Sequence, residues 1–151
     1  MKTHSFRNIQ ILFYSLLLGQ LILAGVAYFL NRGKDPSDAS MTNADFAFAV
    51  PAVLLAGFLG AYLIDKRRAA SPPIKAEIGQ KLEHYQTSVL IRSALLEAPN
   101  LLSAIAYLLS GEQIYLIYFA LGIGAFLMFR PTLSQLQQRY MIKASEMENV
   151  P

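Results

Sequence analysis

The stretch IQILFYSLLLGQLILAGVAYFL, residues 9–30, runs for 22 positions without an Asp, Glu, Lys or Arg. At 1.5 Å per residue such a helix is about 33 Å long, enough to cross a hydrocarbon core of about 30 Å. Three further stretches read the same way. Residues 46–64 and 113–129 also lack charge, and residues 88–109 hold only Arg92 and Glu97. Together the four runs make 80 of the 151 residues. The expectation is an all-α membrane protein, a single domain over 1–151 with four transmembrane helices.

The composition agrees. The chain is 54% hydrophobic and 15% charged, where soluble domains carry about 25% charge, and the mean hydropathy is +0.37. Loops and tails of about 20 residues are too short for an independent core, which excludes a large catalytic domain outside the bilayer. The pI is about 9.2, but the net charge is only +3 and the basic residues flank apolar runs, which argues against a nucleic-acid partner. Cysteine is absent and the two histidines, His4 and His84, have no ligand spacing around them, so neither a metal nor another cofactor is expected. No P-loop, nucleophile elbow or metalloprotease motif is present, so the chain reads as a non-enzyme. Lys2 and Arg7 precede the first run as in a signal peptide, but the apolar stretch exceeds the usual h-region of about 7–15 residues and reads as a retained span.

The connections set the topology. Asn31–Asp45 is a polar loop with Ser40, Thr42 and Asn43 as candidate caps for the second helix. Asp65-Lys66-Arg67-Arg68 stops the second span, Ser110-Gly111-Glu112 is a tight turn, and Arg130-Pro131-Thr132 ends the fourth. The N-terminal tail, the 65–87 loop and the C-terminal tail hold 10 Lys and Arg, while the other side holds only Arg32 and Lys34. The positive-inside rule then places both termini in the cytoplasm of a bacterial inner membrane. After Pro72-Pro73, the spacing of Ile74, Ile78, Leu82 and Tyr85 predicts an amphipathic helix leading into span three. It is expected either to lie at the lipid interface or to extend into the cytoplasm under cover of neighbours. Leu133, Leu136 and Tyr140 predict a short interfacial helix in the tail.

An ionisable residue at a span centre costs roughly 2.5–3.5 kcal/mol on insertion scales. Arg92 lies about 6 Å inside span three and is expected to snorkel as an interface anchor, as is Arg130 after span four. Glu97 lies within roughly 3 Å of the midplane and is too short to reach water. It must be protonated, paired, hydrated or bound to a cation. Gln86, Ser93, Glu97, Asn100 and Ala104 share one polar or small helix face, and Pro99 frees the carbonyl of Leu95 nearby. Gln20, central in the first run, sits at similar depth, so a Gln20–Glu97 hydrogen bond is expected. Ala52, Ala56 and Gly60, with Gly57 and Ala61 beside them, and Ala120 with Gly124, are the expected close-packing stripes.

The string ALLEA at Ala94–Ala98 resembles the ion-carrying helix of rotary ATPase c-ring proteolipids. That resemblance implies a mid-membrane carboxyl, Glu97, that takes up a proton or sodium ion, with Ser93 or Gln20 as auxiliary ligands. The alternating glycines of the family's first helix are missing here. As a whole the chain, with LLEAPN at 95–100 and RPT at 130–132, resembles small four-span inner-membrane proteins of unassigned function from Bacteroidetes-type bacteria. Two functions therefore stand open. One is an oligomeric membrane protein whose Glu97, with Gln20, Ser93 and Asn100, binds or relays a cation. The other is a non-catalytic structural or assembly subunit in which a neutral Glu97 locks helices by hydrogen bonds. The expected partners are the lipid bilayer and either further copies of the chain or a membrane complex.

Overall fold

The computed structural model describes residues 6–33 and 43–142, and these are all-helical. The elements are α1 (Phe6–Asn31), α2 (Asn43–Phe46), α3 (Ala49–Ala70), α4 (Ile78–Ser110), α5 (Ile114–Met128) and α6 (Leu133–Tyr140). Three helices are long and apolar enough to cross a membrane, or four if α5 and α6 make one span bent by 51°. The described residues are thus compatible with a multi-pass membrane protein.

The packing is built around α4. This helix meets α3, α5 and α1, whereas α1 and α3 make little contact with each other. Half of the most apolar window of α4 is buried, against 22% for α1 and 17% for α3. Polar and small side chains fill the interior: Gln20, Ser93, Asn100 and Ser103 are at most 1% exposed. Large apolar side chains point outward, among them Leu18, Leu55, Ile117 and Leu121. A water-soluble bundle would reverse this arrangement. Lipid tails solvate the outward Leu and Ile, so burial is free to select for close contact and hydrogen bonding instead.

Each helix end has a local cause. Gly111 stops α4 in the left-handed conformation (φ +71°), its N–H bonded to the Tyr107 carbonyl at 2.8 Å. Pro131 prevents α5 from continuing, and the Thr132 side chain caps α6 by accepting from the Gln135 N–H. Pro51 is harmless within the first turn of α3. With 15 residues, α5 is only about 22 Å long, shorter than the span expected over 113–129.

Several expectations change. Ser40 and Thr42 lie outside the described residues, Asn43 opens α2, and α3 begins after Phe48 without a side-chain cap. The amphipathic helix begins at Ile78 rather than Ile74, because Pro72–Ala76 forms a turn with bonds from Ile74 N–H to Pro72 O and from Ala76 N–H to Pro73 O. Its apolar face is covered by protein: Leu82 and Tyr85 pack with Leu136, Tyr140 and Ile142. The same contact buries two of the three apolar residues expected to hold α6 at the lipid interface, while Leu133 stays 41% exposed.

The packing stripes are displaced by one residue. Ala52, Ala56, Ala120 and Gly124 are exposed, Gly60 is half-buried, and the buried small residues are Gly57, Ala61 and Gly122. The reason lies on α4. At Gly57 the backbone of α3 lies against the Leu95 carbonyl and the Pro99 ring, where an added Cβ would meet Pro99 Cγ at 2.9 Å. At Gly122 an added Cβ would run into the Asn100 side chain. One residue further round either helix, no such obstacle selects against a side chain.

Candidate functional site

Two polar centres occupy the bundle. The first lies halfway along the apolar runs. Asn100 Nδ2 donates to Gln20 Oε1 at 2.7 Å, joining α4 to α1 across a fully buried contact. Ser103 donates to the Pro99 carbonyl at 2.8 Å. Three polar atoms here are buried without a hydrogen-bond partner among the described residues: Gln20 Nε2, Ser93 Oγ and Asn100 Oδ1. Such atoms cost free energy in hydrocarbon unless water or another partner reaches them.

Glu97 stands beside this centre and outside its hydrogen bonds. It is half-buried, with the buried Ser93 and Asn100 on one flank and the exposed Ala94 and Ala98 on the other. Among the described residues it has no hydrogen-bond or ion-pair partner. The expected Gln20–Glu97 bond is therefore replaced by Gln20–Asn100. An amide pairs with an amide as donor and acceptor at no charge cost, whereas a lone carboxylate beside Gln20 would have to be desolvated. The Leu95 carbonyl freed by Pro99 faces Gly57 of α3. It lies on the opposite side of α4 from Glu97 at 100° per residue, so it is no ligand for anything Glu97 holds.

The second centre lies at the basic end, where α3, the first turns of α4 and α6 converge. Arg92 is 1% exposed and donates to Asp65 at 2.5 Å. Arg139 of α6 donates to both oxygens of the same carboxylate, at 2.8 and 2.7 Å. The Arg92 guanidinium lies 5.9 Å from the ring centroids of both Tyr85 and Phe129. Arg68 donates to Ser88 Oγ at 2.6 Å and to the His84 carbonyl. His84 Nδ1 and the Tyr140 hydroxyl are 2.6 Å apart. His84 precedes the apolar run, and burial together with the charge of Arg68 lowers its pKa below the ordinary value.

Arg92 is thus a buried ion-pair partner and not the snorkelling anchor expected. Its counter-charge, Asp65, stands one residue past the apolar run of α3, at a depth matching four residues into the run of α4. That depth match was the available signal, and reading Asp65 only as a stop for its own helix hides it. Arg130, the other expected anchor, is exposed at the end of α5. No family model, curated protein or solved structure matches the chain.

Proposed function

We propose that this is a small multi-pass protein of a bacterial inner membrane, with both termini cytoplasmic, in which Glu97 takes up and releases a proton. The observation that carries the reading is an unpartnered carboxyl at mid-span, flanked by the orphaned Ser93 Oγ and by the Asn100–Gln20 pair. Ser93 and Asn100 share the helix face of Glu97 and are placed to hold water against it, with Gln20 closing the group from α1. A proton suits this set better than sodium. Sodium needs several oxygens around one point, and the freed Leu95 carbonyl is turned away toward α3.

A second reading, a structural or assembly subunit, draws support from the Gln20–Asn100 bond, which fastens α1 to α4 without using Glu97. The small residues Ala94 and Ala98 beside Glu97 are exposed. They leave room for a helix of another copy or of a complex partner to approach and bond the carboxyl.

Carbodiimide labelling of the protein in liposomes separates the readings. A titrating Glu97 reacts at low pH and is spared at high pH, and Glu97→Gln abolishes the labelling while the protein still assembles. No reaction anywhere between about pH 5 and 9, with lost assembly in Glu97→Gln, would refute the proton site and favour the subunit.

A further inference from the structure

The basic end holds more positive charge than its own ion pairs consume. Asp65 is shared by Arg92 and Arg139, and Arg68 has no carboxylate partner at all among the described residues. Arg68, Ser88, Arg139 and Tyr140, with Ala69 and Pro72, line one shallow recess between the end of α3, α4 and α6. No acidic side chain lines it. Arg68 uses one N–H on Ser88 and one on the His84 carbonyl, and Arg139 uses two on Asp65. A guanidinium carries five N–H donors, so both retain donors to spare.

The placement adds a second argument. Arg68 stands four residues past Ile64, the last apolar position of its run, and the side chain lies half-buried against the bundle. That is headgroup depth for a helix that crosses the bilayer. Lys66 and Arg67 on the same turn are exposed, so the electrostatic potential around the recess is positive on every side.

We infer that the recess between Arg68 and Arg139 binds a phosphate group, and that the phosphate is carried by an anionic lipid of the surrounding leaflet. The two guanidiniums would clamp its oxygens from α3 and α6, and Ser88 and the His84 carbonyl hold the Arg68 fork in place. Binding there would fasten α6 to the bundle from outside, while Asp65 fastens it from within. The inference is independent of the Glu97 reading, since it involves none of the mid-span residues.

The test uses the full chain in a neutral detergent and reads its melting temperature after adding phosphatidylglycerol, phosphatidylcholine or inorganic phosphate. Wild-type protein is expected to rise by about 4 °C or more with phosphatidylglycerol and by less than half of that with phosphatidylcholine. Arg68→Gln should lose most of the rise. Arg67→Gln, which removes the same charge from an exposed neighbour, should keep it. If inorganic phosphate alone reproduces the whole rise, the lipid assignment fails and the recess is a site for free phosphate. An equal loss in Arg67→Gln and Arg68→Gln, or no rise with any phosphate, overturns the site altogether. Should Arg68→Gln fail to elute as a single species, Arg68→Lys carries the same comparison. It keeps the charge and loses the planar fork, and a full wild-type rise in that variant would equally overturn the clamp.

Discussion

Replacing Gly57 by alanine tests the geometry at the heart of the bundle. The new Cβ would lie 2.9 Å from Pro99 Cγ and against the Leu95 carbonyl oxygen. Carbon atoms pack at about 3.5–4.0 Å. Pro99 is held within a long helix and the carbonyl is backbone, so neither can turn aside, and α3 must withdraw by somewhat under 1 Å along its contact with α4. A gap of about 0.5–1 Å forfeits a quarter to a half of each contact's attraction. Overpacking of this kind costs about 1–3 kcal/mol, of which helix propensity returns up to about 1. A chain of this size shifts by about 2–4 °C per kcal/mol, so a fall of several degrees is expected. Gly124→Ala is the matched control, because nothing lies within 4 Å of its added Cβ. Thermal unfolding of both variants in one detergent, followed by tyrosine fluorescence, reads the difference. A Gly57→Ala protein melting within about 1 °C of wild type, alongside an unaffected Gly124→Ala, would refute the close approach of α3 to α4.

Asp65→Ala leaves the buried Arg92 without its counter-charge and is expected to cost about 3–5 kcal/mol, while adding Arg92→Met should recover much of the loss; chemical denaturation of the single and double variants checks both. Gln20→Met removes the partner of Asn100 and is expected to cost about 0.5–2 kcal/mol, readable in the same assay, and a stabilised variant would count against the α1–α4 bond. The lowered pKa of His84 means that the folded protein binds its proton less readily than the unfolded chain does. Stability should therefore fall as the pH drops through about 6.5 toward the lower folded value. A His84→Gln variant should lose that step in a melting-temperature profile from pH 8 to 5.

What the sequence disclosed follows from which forces are local. Length and apolarity of a helix belong to the helix itself, so the runs at 9–30, 46–64 and 88–109 each sit within one long helix. Partner choice is a property of pairs, and there the reading was less sure. The stripe Ala52–Ala56–Gly60 satisfies the small-residue pattern better than Gly57 alone, yet Pro99 on another helix decides which face turns inward. Asn100 shares the polar face with Glu97, but whether Gln20 meets the amide or the carboxyl depends on where α1 lies around α4, which no periodicity encodes. Arg92 was legible as costly in the bilayer and illegible as paired, because Asp65 is 27 positions away on another element.

The hub position of α4 bears on how the chain is made. Helices α1 and α3 leave the ribosome first, yet each packs on α4 and scarcely on the other. Until α4 arrives, the first two spans have no native partner and must be held in lipid by their own hydropathy, which is 2.0 and 1.5 in their best windows against 1.4 for α4. The least apolar span thus enters last of the three, into a membrane where Asp65 already waits for Arg92 and Gln20 for Asn100. On this order of events a chain truncated within the 71–77 turn would leave two inserted but unassembled helices, a natural substrate for membrane quality control.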